Sequence, residues 1–407
     1  MFDTRTDKRT LRIGTMNAEW LFDGIDDPNP SPWNSGSSSD PDCAGYANHL
    51  NGCDAAGAQL HLARVAAVVQ RLRPDILNLV EVEGCAILTS LIDLLDDSDS
   101  YRPYLLKGTD SALGQNVGLI TKISPTEPLT RSTARYSYPL PGSNCTLNGV
   151  SPRSGDTGVS KHYRTVFQLP EWTGVAEIAW FGVHFKAFPT DPDACAKREA
   201  QAQVIADMVR ADIAAGREVV VCGDFNDFSA EILDQHGSVP TSHAVKLITD
   251  LNGDGVNELV NLISSVDHDV RYSDWWDHDP KDNLDSGVRE HSEIDHFLVT
   301  PGLSEHVQRV WIDHDYNPAD VSDHWPLMAE LSFAGVVPPT APTDDGAGDG
   351  SSGGGSVVVV VICTVLLLAV GGFRYFSKSK RTKIGTVGAS LYDSNPTSLD
   401  SGSFEIA

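Results

Sequence analysis

The 407-residue sequence predicts an α/β layered domain followed by one C-terminal transmembrane helix. Three observations carry that prediction. An apolar run from Ala176 to His184, a helical stretch over 194–214 and a β-branched run from Val219 follow one another, the strand-helix-strand order from which layered α/β domains are built. Apolar runs also stop repeatedly at a polar residue, as at Asn17, Glu81, His184 and Asp224. Open α/β sheets place their chemistry beyond the carboxyl ends of their strands, so these endings are candidate site positions. Lastly, Val357–Phe373 is a 17-residue run without charge, close to the shortest length that crosses a bilayer.

Each element can be justified in chain order. Leu11–Asn17 reads as a strand, and residues 23–56, rich in Gly, Ser, Pro, Asn and Asp, as a long irregular loop. Leu62, Val65, Ala66, Val69 and Leu72 recur at helical spacing, predicting an amphipathic helix over 58–72 that Pro74 ends. Asp75–Glu81 is a short apolar strand with an acid last, and 86–95 is helical. Asn116–Thr121 and Tyr163–Leu169 read as strands on either side of a loop excursion over 124–160. In Val219-Val220-Val221-Cys222-Gly223-Asp224-Phe225-Asn226, the Asp and Asn stand at alternate positions and face one point. A turn in which both residues bond their own backbone explains the same pattern. Asp250–Gly255 matches the first half of a calcium loop, but position twelve is Asn261, so Ca²⁺ at 250–261 competes with a plain Asp-Gly turn. Asp295 lies inside the apolar pattern Ser292–Val299 and needs a partner, which Asp323-His324 would supply. Trp275 and Trp276 could stack on bases or simply pack.

Composition bounds the function. Apolar content of 41% and charged content of 21% suit a globular domain with a sizeable core. The net charge of −26 disfavours strong sequence-independent binding to nucleic acid unless a local basic patch or bound cations offset it. Arg374, Lys378, Lys380, Arg381 and Lys383 follow the apolar run, which places the tail 374–407 in the cytosol and the preceding domain outside the cell or in a lumen. Met1–Thr10 carries no apolar signal core, so a truncated start or another route of insertion is expected. Residues 334–356 read as a flexible linker after a domain over 11–333. Of seven cysteines, Cys363 lies in the apolar run. The expected disulfides are Cys43 with Cys53 and Cys145 with Cys195, while Cys222 reads as a small buried hydrophobe. No Cys/His spacing suggests zinc, and Asn144-Cys145-Thr146 is a glycosylation sequon.

In order, Asn17, PDILNLVE ending at Glu81, VHF with His184, GDFND with Asp224 and Asn226, SEIDHFLV with Asp295, and SDH with Asp323 and His324 resemble the endonuclease/exonuclease/phosphatase superfamily, the fold of DNase I. The resemblance covers residues 11–332, and Val270-Arg271-Tyr272-Ser273 resembles extracellular bacterial nucleases of that superfamily. It implies a four-layer α/β/β/α sandwich of two mixed β-sheets flanked by helices. It also implies metal-dependent attack of water on a phosphoester, with Mg²⁺, or Mn²⁺, held by Glu81 with Asn17 and Asp323 nearby. By the same resemblance His324 and Asp295 do acid/base work or stabilise the phosphorane, and Asp224 orients or deprotonates the water. Asn226 donates to a phosphoryl oxygen, while His184 and Arg164 hold the phosphate. Two positions depart from the pattern. Val80 replaces a common glutamine, and near Gln115 the acid that would pair with His184 is missing, which weakens His184 as a general acid. The favoured function is a membrane-anchored nuclease cleaving DNA or RNA. Alternatives are a phosphoinositide phosphatase or sphingomyelinase-type enzyme acting on phospholipid head groups, and a non-catalytic surface receptor. Nothing implies an obligate protein partner.

Overall fold

The structure, a computed structural model, describes residues 2–23, 55–109, 114–147, 149–189, 191–277 and 284–333. The expected linker 334–356, apolar run 357–373 and tail 374–407, and the pair Cys43 and Cys53, lie outside the described residues. Among the described residues no helix is long and apolar enough to cross a membrane.

Two mixed sheets form the centre. The first comprises β1 (Thr10–Leu21), β2 (Ile76–Val82), β3 (Arg102–Leu105), β4 (Asn116–Thr121), β14 (Val307–Ile312) and β15 (Leu327–Ser332), in the order β14-β15-β1-β2-β4-β3. The second comprises β7 (Lys161–Gln168), β8 (Glu177–His184), β9 (Glu218–Asp224), β10 (Val260–Asn261) and β13 (Asp295–Val299), in the order β10-β13-β9-β8-β7. Only the β1–β2 and β8–β9 neighbours run parallel. Two small ribbons complete the strands, β5 (Tyr136–Tyr138) with β6 (Gly155–Thr157), and β11 (Asp274–Trp275) with β12 (His291–Ser292).

Three apolar clusters define four layers. Leu11, Ile13, Ile76 and Leu119 of the first sheet pack on Phe167, Trp180, Val220 and Phe297 of the second. The outer face of the first sheet is covered by the helices Ala55–Leu72 and Cys85–Asp93, through Leu62, Val69 and Leu88. The outer face of the second is covered by the helix Pro192–Ala214, through Ala202, Ile205 and Val209. The alternation of a strand explains how both faces of β9 are buried: Val220 and Cys222 point inward between the sheets, Val219 and Val221 toward the helix. Cys222 is fully buried there, as expected of a small hydrophobe.

A buried polar chain crosses between the sheets. Trp180 Nε1 donates to Tyr163 Oη at 3.2 Å, Tyr163 Oη donates to Asn78 Oδ1 at 3.0 Å, and Asn78 Nδ2 donates to Thr15 Oγ1 at 3.0 Å. It sets the register of β7 and β8 against β1 and β2, because each member would be left unpaired by a slip.

Cys145 and Cys195 are disulfide-bonded, with Cα atoms 5.6 Å apart. Cys195 lies in the first turn of the long helix, three residues after the N-terminal Pro192. The 250–261 segment is a turn closed on itself. Asp250 accepts from the N–H groups of Asp254 and Gly255, Glu258 from that of Leu251, and Asn261 faces His296 in the core. These bonds are those of the Asp-Gly turn that competes with the calcium reading, and the residue at position twelve is turned toward the core.

Candidate active site

The register of the second sheet brings three site residues into one row. His184 at the end of β8 pairs with Asp224 at the end of β9, which pairs with Asp295 at the start of β13. Gly223 makes that row possible: its φ is +137°, and a Cβ there would sit 2.0 Å from Val183 O. Only glycine lets β9 approach β8 so closely beside the site.

The first sheet supplies the facing groups through irregularities. β1 bulges after Asn17, where pairing with β2 breaks. Glu19 and Trp20 take φ values of +39° and +57°, Glu81 takes +62°, and Asn226 takes +50°. These left-handed non-glycine conformations cost on the order of 1–3 kcal/mol each and gather where function requires a side chain to be re-aimed. Here they turn Glu19 and Glu81 toward the mouth of the sandwich. Glu81 Oε2 accepts from Trp20 N at 3.3 Å, and Asn17 Oδ1 accepts from Glu19 N at 3.0 Å.

His324 occupies the centre. Its Nδ1 is 2.6 Å from Asp295 Oδ2, its Nε2 is 3.5 Å from Asp274 Oδ1, and Asn17 Nδ2 lies 3.5 Å from Nε2. Burial alone would lower the imidazole's pKa, but the carboxylates of Asp295, Asp323 and Asp224 overcome it and hold it well above its ordinary value. His324 is therefore an imidazolium at neutral pH. Ser273 Oγ donates to the same Asp295 oxygen at 2.9 Å and fixes its rotamer.

Asp224 is held from three sides. Asn226 N donates to Oδ1 at 2.8 Å, and Oδ2 accepts from Asn17 Nδ2 at 3.2 Å and Asn226 Nδ2 at 3.0 Å. Burial pushes its pKa up to about 8, against the lowering effect of His324. The two Nδ2 protons of Asn226 go to Asp224 and, at 3.3 Å, to Phe185 O. The amide thus supports the carboxylate instead of reaching for a phosphoryl oxygen, a correction to the role the resemblance implied.

His184 Nε2 is 3.5 Å from Asp224 Oδ2 and 3.8 Å from Glu81 Oε1. Its Nδ1 has no hydrogen-bond partner among the described residues. Burial, then the ammonium charges of Lys161 and Lys186 and the His324 imidazolium, hold it well below its ordinary pKa. The lowered pKa favours the neutral ring, in keeping with the missing acid near Gln115, whose Oε1 instead accepts from Lys161 Nζ at 3.0 Å.

Glu19 and Asp274 complete the cluster and were not singled out in the sequence. Glu19 Oε2 accepts from Asp323 N at 2.8 Å. Burial first, with Glu81 and Asp274 adding repulsion, pushes Glu19 up to about 8, and burial with the Glu19 charge raises Asp323 well above the carboxylate range. The alternation that flags Asp224 and Asn226 also relates Asn17 to Glu19, so Glu19 was within reach of the same argument. Asp274 sits on a two-residue strand with no periodic pattern.

Arg164 does not join the site. It lies on β7 opposite Phe181, and its guanidinium is clasped by Asp212, at 2.9 and 2.5 Å, and by Glu127. Its partners sit 48 and 37 residues away, too distant in the chain for any local pattern to reveal that this cation is already engaged. Trp275 is buried with Nε1 on Glu290 at 3.1 Å, whereas Trp276 is exposed.

Glu19, Glu81 and Asp323 bring the chemistry of a divalent-cation donor set: burial together with repulsion among these carboxylates raises Glu19 and Asp323, although among the described residues their oxygens are not drawn together into a tight cluster. Hard oxygen ligands of this kind suit Mg²⁺ or Mn²⁺.

The family described as Endonuclease/Exonuclease/phosphatase family matches residues 33–324. No curated protein matches the sequence. Among solved structures, the chain is similar to a mannosyl-6-phosphatase from Bacteroides thetaiotaomicron, with 16% identity, 79% of this chain and 100% of that one covered, and a TM-score of 0.46. It is similar also to an AP endonuclease from Archaeoglobus fulgidus, with 15% identity, 78% and 98% covered and a TM-score of 0.48. A 3′ phosphatase from Neisseria bound to a product DNA hairpin gives 17% identity, 79% and 99% covered, and a TM-score of 0.46.

Proposed function

Because the chain belongs to the endonuclease/exonuclease/phosphatase family, and so to its phosphoester hydrolases, we propose that it is a divalent-metal-dependent nuclease, anchored in a membrane through 357–373 and facing out of the cytosol. The observation that carries the hydrolytic reading is the buried Asp295–His324 pair at 2.6 Å, set in register beside Asp224. The Cys145–Cys195 disulfide supports an oxidising compartment for the domain.

Glu81, Glu19 and Asp323, with the Asn17 amide beside them, would hold Mg²⁺ or Mn²⁺. The ion supplies charge neutralisation for a phosphoryl oxygen. The chain's own residues do the rest. Asp224, held by the amides of Asn17 and Asn226 and titrating near 8, takes a proton from the attacking water. A base with a pKa near the working pH is best suited to that task. The His324 imidazolium, fixed by Asp295, faces the charge that accumulates on the phosphorane, and can give its Nε2 proton to the leaving oxygen. Neutral His184 holds a non-bridging oxygen from Nε2. Asn226 and Ser273 are positioning residues for Asp224 and Asp295.

The test is the purified chain with Mg²⁺ or Mn²⁺ on plasmid DNA, single-stranded RNA, phosphoinositides and sphingomyelin, each with an EDTA control. Strand cleavage that EDTA abolishes is the expected result. Release from the lipids alone would replace the nuclease reading with head-group hydrolysis, and cleavage indifferent to EDTA would overturn the metal assignment.

A further inference from the structure

The chain carries 56 acids against 30 Lys and Arg, yet one cleft of about 420 Å³ is lined by four cations, Arg131, Arg135, Lys186 and Lys197, and, among the described residues, by no acid. Its volume lies in the range of ligand clefts. Its lining adjoins the active-site strand ends: Lys186 is two residues beyond His184, and Ser160, also in the lining, precedes Lys161, which pairs with His184.

The walls are held in place by the fold. Lys186 N donates to the Oε1 of Gln201, another lining residue, at 2.9 Å, which ties the segment leaving β8 to the long helix. On the opposite wall Ser132 N donates to His162 Nε2 at 2.9 Å, which holds 131–135 against β7. Two acids approach from outside the lining: Asp156 pairs with Arg135, and Asp193, one turn before Lys197 on the helix, is bound to Arg153. Lys197 lies over the ring of Tyr138, with Nζ 5.7 Å from the centroid, a contact that leaves an ammonium able to bind an anion.

We propose that this cleft is a phosphate-binding subsite that takes the backbone of a nucleic-acid strand as it leaves the active site. The inference rests on the nuclease reading above and names how an acidic protein would hold a polyanion. Phosphodiesters carry one charge each, so cations on three separate segments around such a volume suit successive phosphates of a strand better than one compact head group. Backbone contacts of this kind position a strand without reading its sequence.

The experiment uses the full chain carrying Asp224→Asn, with Mg²⁺, and measures fluorescence anisotropy of end-labelled single-stranded DNA and RNA of mixed sequence. Arg131→Ala with Lys197→Ala is expected to raise Kd about tenfold for both strands and to reduce the slope of log K against log salt by about 1.4, two contacts at about 0.7 each. The control, Lys8→Ala with Arg309→Ala, removes the same charge from the remote β14 edge and the N-terminal turn, and should shift Kd less than twofold. Equal affinity of the cleft variant and its parent overturns the proposal, as does equal weakening by both double variants. Vesicles bearing phosphoinositides form a further arm, and cleft-dependent binding of vesicles but of neither strand would also overturn it. The single Lys197→Gln variant repeats the test should the double variant fail to fold. The wild-type cleavage assay separates the two readings. Cleft-dependent binding without cleavage keeps the subsite and rejects the nuclease, and cleavage with cleft-independent binding does the reverse.

Discussion

Two buried polar networks in this molecule make opposite use of the same seclusion from water. Between the sheets, Trp180, Tyr163, Asn78 and Thr15 pass hydrogen bonds along a neutral chain in which each donor meets an acceptor. At the mouth, Asp295, Asp274, Asp224, Asp323, Glu19 and Glu81 gather about one imidazolium, and burial with mutual repulsion raises the pKa of several of them. A self-satisfied network fixes architecture. One with surplus like charge is completed only by something brought from outside, and that excess marks it as a site.

The largest expected effect tests the charged network. Asp295→Asn leaves shape but removes the negative charge that keeps His324 protonated and in place. The turnover number should fall by about a thousandfold, or about 4 kcal/mol of barrier. A loss below tenfold in steady-state kinetics would mean that the pair is structural.

Next comes the cation that the sequence placed in the site and the structure placed outside it. Arg164 is gripped by Asp212 and Glu127, and Arg217 Nη1 also reaches Asp212 at 3.0 Å. Arg164→Ala leaves those acids underpaired and should destabilise the fold by about 3 kcal/mol in urea unfolding. KM should stay within about twofold. A large rise in KM with unchanged stability would return Arg164 to phosphate binding.

Most of the fold and the heart of the site were legible for a single reason: the strands are β-branched runs that stop at polar residues. That punctuation points to Asn17, Glu81, His184 and Asp224, the need of a buried acid for a partner points to Asp295 with His324, and the row His184, Asp224 and Asp295 follows from strand register. Glu19 stands two residues after Asn17, so the alternation that flags Asp224 and Asn226 reaches it too, although its final aim is set by a bulge with positive φ at Glu19 and Trp20. Asp274 was missed because β11 is held by β12 and His324, partners distant in the chain. The same blindness to distant partners misplaced Arg164.

A third, smaller effect contrasts histidines. His61 donates from Nε2 to Val321 O at 2.8 Å, and His296 from Nε2 to Asp227 O at 2.8 Å. Burial lowers both to about 4. In the window between about 6.5 and about 4 the unfolded chain binds protons that the folded one does not, so stability falls as pH falls through it. His324 has the opposite sign, since its raised pKa contributes stability below the unfolded value and loses it as pH rises through the folded one. Each neutral histidine contributes up to about 3 kcal/mol of acid sensitivity. His61→Gln keeps a donor for Val321 O but cannot titrate. Its urea midpoint should therefore drop less between pH 7 and pH 4.5 than that of the wild type, and equal drops would refute the assignment.

The smallest effect probes the neutral network. Tyr163→Phe removes one hydroxyl, leaving Asn78 Oδ1 without its donor and Trp180 Nε1 without its acceptor, both fully buried. Unpaired buried polar groups of this kind cost about 1–3 kcal/mol. Gly182 packs so tightly here that a Cβ would sit 2.2 Å from Asn78 Oδ1, which leaves little room for the amide to find a new partner. The loss should appear in chemical denaturation while the turnover number stays within about twofold, because nothing in this chain carries charge to the mouth. Should turnover fall with stability, the two networks would be mechanically one, and register between the sheets would itself be a condition of catalysis.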